Sequence, residues 1–288
     1  MKKNKTIIAG IILYNPDIIR LQENVEAIFD KVDSILFVDN ASKNIIDIQR
    51  LAEKFSIKLV VNNENYGLPQ VFNAMLQEAR DNNFDNLLLL DQDSVCGEKM
   101  IEVYREHISS NYVCLTPQIR HRLKEFEEKS IKTTLANEEI DFTINSGTLI
   151  NLNVLPNDVK FNEKLFVDCV DFDFFIQLKE KKLKVLRINT IYLLCDLGNM
   201  KVHHIFHFPL FSNNYSVFRL EKQARDRVIF IYSHFKNSLA KEVVFHSFVG
   251  YLTIIMFEKN KIFKLIAVFK GVCKGVGILF KNKRKKFL

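Results

Sequence analysis

Cysteine is sparse in this 288-residue chain and falls in no pairing pattern. Cys96, Cys114, Cys169, Cys195 and Cys273 are scattered without a C-x-x-C, and their number is odd. That argues against a zinc site or a disulfide framework and for reduced thiols in a cytosolic protein. Long apolar runs are missing too. No stretch approaches about 18 uninterrupted apolar residues and no apolar signal core opens the sequence, so a secretory precursor and a multispanning membrane protein are both disfavoured. Neither G-x-G-x-x-G after the first apolar run nor G-x-x-x-x-G-K-[ST] anywhere is present, which removes the main support for dinucleotide redox chemistry and P-loop hydrolysis. Acidic residues are absent after Glu258, a stretch that holds ten of the 41 Lys and Arg. The body of the chain is therefore slightly acidic, and the net charge of +7 is a property of the tail. A nucleic-acid reader spreads its basic residues along the phosphate-facing surface, and no such pattern occurs upstream, so a nucleic-acid partner is not expected.

What is present begins with alternation. Residues 6–13 form an apolar, β-branched run ending at Tyr14, Asn15 and Pro16. An amphipathic helical pattern follows, with Ile18, Leu21, Val25 and Ile28 on one face and Pro16 as its first position behind an Asn cap. Residues 34–38 make a second strand ending at Asp39 and Asn40, residues 57–61 a third leading to Asn65 and Gly67, and residues 87–90 a fourth ending at Asp91, Gln92 and Asp93. Apolar strands alternating with amphipathic helices predict an α/β fold, a doubly wound and mostly parallel sheet covered on both faces. Such sheets bind ligands beyond the carboxyl ends of their strands, and all four ends here are polar. The charge-rich residues 116–140 read as a mobile surface segment, residues 141–150 as a further element, residues 161–181 as an aromatic and acidic stretch running into a helix, residues 184–188 as a strand and residues 216–235 as a helix.

Two carboxylates one residue apart at a strand end repel unless a cation relieves them, and hard oxygens select Mg²⁺ or Mn²⁺. Asp91 and Asp93 would then hold a metal with open positions for a diphosphate, although a lone D-x-D also ends strands as a solvated turn. Asp39 suits vicinal hydroxyls or a base, and equally a turn that caps the next helix. Asn65 and Gly67 either bring backbone close to a ligand or make only a tight turn. Asp168, Asp171 and Asp173 cluster ahead of the later helix. At a helix start the macrodipole lowers the pKa of Asp171, whereas the apolar neighbours Cys169, Val170, Phe172 and Phe174 oppose that shift and favour a base. His203, His204 and His207 read either as a metal cluster or as packing and surface residues, the latter favoured because no partnered Glu sits at motif spacing. Asp91 to Val95 also fits the D-x-D-x-[TV] loop of haloacid-dehalogenase-type phosphatases, except that three strand-helix units precede it.

The ordered set Tyr14-Asn15-Pro16, Val38-Asp39-Asn40-Ala41-Ser42, Asn65-x-Gly67 with Asn73, Leu90-Asp91-Gln92-Asp93-Ser94, Asn145-Ser146-Gly147-Thr148 and Phe166-Val167-Asp168 leading to Asp171-x-Asp173 resembles the family 2 glycosyltransferases of the GT-A fold. The resemblance is strongest to their rhamnosyltransferase-like branch and covers roughly residues 6–235. It implies an inverting transfer of a sugar, rhamnose from dTDP-rhamnose by the branch, from a dTDP or UDP donor to a glycan or lipid-linked glycan acceptor in surface polysaccharide synthesis. By the same resemblance Tyr14, Asn15, Asp39, Asn40, Asn65, Gly67 and Asp91 bind the donor, Asp93 with Asp91 handles the metal, and Ser146, Gly147 and Asp168 border the sugar and acceptor. The resemblance also implies that Asp171 is the general base. The chain departs from the family's usual His with Cys195, a poor ligand for hard cations. Asp93 alone would then carry the metal, His203 or His204 would substitute, or activity would be impaired, as in an inactive nucleotide-sugar-binding protein.

Residues 1–240 are expected to form the transferase domain, with a nucleotide-sugar half over 1–115 and an acceptor half over 141–240. Residues 241–288 form an apolar and basic helical tail. Residues 243–257 are too short to span a bilayer comfortably, and over residues 262–280 the lysines share a narrow sector. Together with the basic run 281–286 this predicts a helix lying on an anionic membrane surface, although Gly271, Gly275 and Gly277 weaken any helix there. The enzyme would be cytoplasmic and peripheral at the inner face of the cell membrane.

Overall fold

The computed structural model describes residues 5–122, 136–196, 198, 200–205 and 208–285. They divide into two compact units, one of Met1–Phe161 with Phe174–Asp196 and one of Asn162–Asp173 with Leu197–Leu288.

The first unit is a layered α/β sheet. Four parallel strands, β1 (Ile7–Leu13), β2 (Ser34–Asp39), β3 (Lys58–Val61) and β4 (Asn86–Asp91), come from the four apolar runs. Beyond them lie β5 (Val95–Cys96), β6 (Cys114–His121), β7 (Asn137–Ile140), β8 (Leu149–Asn151) and β9 (Val185–Cys195). Among the described residues the sheet runs β3-β2-β1-β4-β8-β6-β9-β5, with β7 also paired to β9. β8 is antiparallel to β4 and β6, whereas β6 and β9 are parallel. The expected mostly parallel α/β sheet is found, with antiparallel pairings among the described residues confined to those made by the strands beyond β4.

β1 is buried along its whole length because both of its faces are covered. Its alternate residues Ile7, Ala9, Ile11 and Leu13 join one core with Leu21, Val25 and Ile28 of helix α1 (Ile18–Ile28) and with Ile48 and Leu51 of α2 (Ile45–Lys54). The other face meets α3 (Leu68–Asp81), and at Gly10 an added Cβ would come within 2.7 Å of the Met75 sulfur. A further helix, α4 (Met100–His107), adds Met100, Ile101 and Tyr104 to the first core.

Several local expectations are corrected. α1 is capped by Asp17, whose Oδ1 accepts from the amides of Ile19 and Arg20 at 2.9 and 3.2 Å, and not by Asn15. A carboxylate two residues before the first free amides is better placed than Asn15, which adopts φ 49° and serves the turn instead. Residues 141–150 are not one element: 141–148 link β7 to β8, and 149–150 begin β8. The ends of the segment 116–140 are strands, and its middle, 123–135, lies outside the described residues.

The second unit contains the hairpin β10 (Lys201–Ile205) and β11 (Phe208–Ser212), then α6 (Val217–Ser233), α7 (Ser238–Phe257) and α8 (Lys261–Lys285). The segment 162–173 joins it and carries the start of α5 (Val170–Glu180), whose later turns belong to the first unit. Gly271 and Gly275 do not break α8. They let it close on α6, because a Cβ at Gly271 would fall 2.2 Å from the Glu221 carbonyl oxygen and one at Gly275 2.8 Å from Val228 Cβ.

Candidate active site

Register brings the four polar strand ends of the first unit together. Leu13 pairs with Asp39, Asp39 with Val61, and Ile12 with Asp91, so Tyr14, Asn40, Asn62 and Gln92 leave the sheet along one edge. Side chains then tie the ends to one another. Tyr14 donates its amide to Gln92 Oε1 at 2.8 Å, Asn15 donates its amide to Ser42 Oγ at 2.7 Å, and Asn15 Oδ1 accepts from the Lys43 amide at 2.8 Å. Asn40 is the hub on the other side. Its Nδ2 donates to Asn65 Oδ1 at 2.8 Å and its Oδ1 accepts from the Tyr66 amide at 3.0 Å, while Asn65 Oδ1 also accepts from the Gly67 amide at 3.0 Å. These contacts give Asn40 and Asn65 the task of holding the β3-α3 turn, which ends at Gly67 with φ 85°.

Asp39 is fully buried. One carboxylate oxygen, Oδ2, accepts from the Ser42 amide at 3.0 Å, whereas Oδ1 has no hydrogen-bond partner among the described residues. A buried carboxylate oxygen without a donor is costly, by roughly 1–3 kcal/mol or more. The turn cap foreseen for Asp39 therefore uses one oxygen of the group, and the other is buried without a donor among the described residues.

Asp91 and Asp93 are both half-buried. The D-x-D turn rests on a small buried network: the Asp91 amide donates to Ser146 Oγ at 3.0 Å, Ser146 Oγ and Ser94 Oγ lie 2.9 Å apart, and Asn24 Nδ2 donates to the Asp91 carbonyl at 2.8 Å. Gly147 takes φ 82°, and a Cβ there would meet Leu193 and Pro117 at 3.0 Å. Its carbonyl accepts from the buried Tyr104 hydroxyl at 2.7 Å. Ser146 and Gly147 are themselves buried, beneath the turn.

Cys195 ends β9 beside this turn, its sulfur 3.8 Å from Ser94 Oγ. Burial pushes its thiol up to about 12, against the Ser94 hydrogen bond and with the help of the Asp91 and Asp93 charges. At neutral pH it is a protonated thiol. Among the described residues no three His, Cys, Asp or Glu side chains converge as a metal site. The donor set is two carboxylates, which suits a magnesium-like ion that keeps water and takes its other ligands from substrate phosphates. His203 is engaged elsewhere, bonded to Ser212 Oγ at 2.8 Å and stacked on Phe257 at 4.1 Å. The side chain of His204 and all of His207 lie outside the described residues.

In the second unit the acidic cluster is sorted by its surroundings. Asp173 is buried and its Oδ1 contacts Asn162 Nδ2 at 3.1 Å and His234 Nε2 at 3.0 Å. Asp168 Oδ2 accepts from Arg227 Nε at 2.6 Å. Asp171 is half-buried in the first turn of α5, after Cys169 in a left-handed conformation of φ 60°. The loop before it is held by Asp226, which in sequence marks a departure from the R-N that the branch resembled by this chain tends to show at Arg225. Asp226 Oδ2, wholly buried, accepts the consecutive amides of Phe166, Val167 and Asp168 at 2.9, 2.8 and 3.1 Å, and Oδ1 accepts from Arg225 Nη2 at 2.6 Å. Burial raises the pKa of that carboxyl, while Arg225 and the three amides pull it down. A signal existed in the sequence: at 100° per residue Asp226 falls between Ile229 and Phe230, an acid on the apolar face of α6. Gln92, hidden as the variable position of D-x-D, carried no such signal.

A family model described as "Glycosyl transferase family 2" matches residues 9–163, more than half of the chain. The dTDP-rhamnosyl transferase RfbF of Shigella flexneri is 22% identical over 275 residues, covering 90% of this chain and 91% of that protein. Among solved structures, the mannosyltransferase PcManGT from Pyrobaculum calidifontis, in complex with GDP-Man and Mn²⁺, matches with a TM-score of 0.60 at 10% identity over 100% of this chain and 82% of that one. S. aureus TarS 1-349 in complex with UDP-GlcNAc gives 0.54 at 14% identity over 77% of this chain and 66% of that one. Against a further S. aureus TarS structure, matched with a TM-score of 0.52 at 15% identity, the chain covers 65% of its own length and spans only 36% of the other. Identities this low establish the fold, which is GT-A.

Proposed function

The chain belongs to glycosyl transferase family 2, and from that membership we propose an inverting transferase that moves one sugar from a dTDP or UDP donor to a glycan or lipid-linked glycan acceptor in surface polysaccharide synthesis. The likeness to RfbF favours dTDP-rhamnose as donor. The observation that carries the reading is Asp39: a buried carboxylate with one unpaired oxygen, on the same sheet edge as Tyr14, Asn15 and the Asp91-Asp93 turn. In a family whose donors are nucleotide sugars, that oxygen suits a ribose hydroxyl or a base N–H. The phosphatase alternative loses its ground with the family assignment.

Tyr14 and Asn15 would flank the base, with Asn40, Asn65 and Gly67 holding the turn against the nucleotide. By the family resemblance Ser146 and Gly147 would contact the donor sugar, and Asp168, oriented by Arg227, would serve the acceptor. Asp93 with Asp91 would hold Mg²⁺ or Mn²⁺ together with the donor phosphates, and a divalent ion there supplies charge neutralisation for the departing diphosphate. Inversion needs one base, because a single in-line displacement has no glycosyl-enzyme stage to form and break. Asp171 removes the proton of the acceptor hydroxyl as the new bond forms. In this reading residues 1–240 carry catalysis and residues 241–288 hold the enzyme at the cytoplasmic face of the membrane.

The test is thermal unfolding of the full chain with dTDP-rhamnose, UDP-glucose and UDP-GlcNAc, each with and without Mn²⁺. At about a hundred times Kd a true donor stabilises by about 2.7 kcal/mol, a midpoint shift of roughly 5 °C. Asp93→Ala is expected to abolish the part of that shift that depends on Mn²⁺. Asp39→Ala is expected to weaken donor binding by about tenfold or more with and without metal, the scale of a charge-assisted hydrogen bond. No shift with any nucleotide sugar would overturn the reading.

A further inference from the structure

α7 is long and apolar enough to cross a membrane, yet its contacts tie it to protein along one face. Ser247, at mid-helix, accepts from Arg227 Nη1 at 3.1 Å, and Ala240, Val243 and Ile254 are buried. At its end Glu258 is buried, accepting from the Asn214 amide at 3.0 Å and from Lys264 Nζ at 2.5 Å. A spanning helix would carry that arginine contact into hydrocarbon, where charge is expensive. The opposite face is different. Val244, Phe245, Phe248, Leu252 and Ile255 are exposed, Phe245 by 63% and Phe248 by 62%, and they fall within an arc of about 100° at helical periodicity.

α8 repeats the pattern. It lies on α6 through Gly271 and Gly275, and its outer side shows Ile262, Ile266, Phe269, Val276 and Phe280 within about 80°. Lys270 is exposed at the edge of that stripe. At the edge between α6 and α8 a cavity of about 330 Å³ is lined by Lys222, Arg225 and Lys274 with Glu221. Lys274 pairs with Glu221 at 2.5 Å and Arg225 with Asp226 at 2.6 Å, so the three cations exceed the two carboxylates by one charge. Burial, then the neighbouring positive charges of Arg225 and Lys274, pull the Lys222 ammonium below its ordinary pKa. The chain then continues into a basic run with no acid to offset it.

We propose that α7 and α8 are an in-plane docking surface for an anionic phospholipid bilayer. The two apolar stripes enter the boundary between headgroups and acyl chains, and the basic cavity and its flanking lysines meet lipid phosphates. The mode is lying on the membrane rather than crossing it: both helices keep one side on protein, and apolar area plus electrostatic attraction supply the affinity.

Cys273 gives a probe within the native chain. It lies on the α8 stripe and is exposed, while the other four cysteines are buried. The full chain, labelled at Cys273 with an environment-sensitive fluorophore, is mixed with phosphatidylcholine vesicles and with vesicles carrying phosphatidylglycerol. Binding about tenfold or more tighter to the anionic vesicles is expected, weakening with salt. Quenching should come from lipid labelled near the headgroup and not from lipid labelled at the bilayer centre. Phe248→Asp combined with Phe269→Asp, both at exposed positions, is expected to cut vesicle binding at least about tenfold with the thermal midpoint unchanged, while Ile19→Asp, equally exposed on the other unit, leaves it intact. The proposal is overturned by equal binding to neutral vesicles, by quenching from the bilayer centre, by no vesicle response of the label, or by a concentration-dependent dimer that buries Cys273 without any lipid.

Discussion

Asp171→Asn is expected to reduce sugar transfer by about a hundredfold or more, the usual scale for losing a general base, while the donor-dependent rise in thermal midpoint stays at the wild-type value. The side chain keeps its size and its place in the first turn of α5, while its charge and its capacity to accept a proton are lost. Release of nucleoside diphosphate from whichever donor stabilises the protein, measured with acceptor-containing membranes, reads the loss directly. Full turnover in the variant would remove Asp171 from the mechanism. A simultaneous loss of donor stabilisation would instead mean that the carboxylate supports the nucleotide half.

Asp226→Ala is expected to cost about 3–5 kcal/mol, the scale for breaking a buried charge pair by removing one partner. Three consecutive amides lose their acceptor at once, and the guanidinium of Arg225 loses its carboxylate. Chemical denaturation should show a lower midpoint, and amide exchange at residues 166–168 should accelerate even where the variant remains folded. Asp226→Asn keeps an acceptor oxygen and should recover part of the loss. The same loop contains Cys169 at φ 60°, a conformation that costs a non-glycine residue about 1–2 kcal/mol and persists only while its surroundings enforce it. Slackening there would act on Asp168 and Asp171 together, so transfer should fall further than stability alone accounts for.

Strands β1, β2 and β4 were legible because they are buried almost throughout and read as uninterrupted apolar runs between amphipathic helices, whereas the edge strand β3 is largely exposed. Polar residues at four successive strand ends were equally legible, and register sets them along one edge of the sheet. The distribution of work inside it was not legible. Whether Asn40 faces a ligand or pins Asn65 depends on a side-chain rotamer, and Asn15 versus Asp17 as the cap of α1 depends on which backbone turns left-handed. Asp39 and Asp226 illustrate the same limit from opposite sides. Both are buried acids, but one keeps an open oxygen and the other is saturated by amides, a difference fixed by chain segments 60 residues away in the case of Asp226. The closing helices were harder still, since glycines that lower helix propensity in isolation here permit close packing.

Residues 162–173 fold with partners that the ribosome delivers later, from 197 onward. A shortened chain ending before α6 would retain strands β1 to β4, to which donor binding is assigned above, but would leave the stretch bearing Asp168 and Asp171 without its carboxylate anchor. Trimming the carboxyl end far enough to remove α6 is therefore a hazard in itself: such a fragment is expected to keep nucleotide capture while forfeiting turnover, and would be mistaken for a naturally dead enzyme.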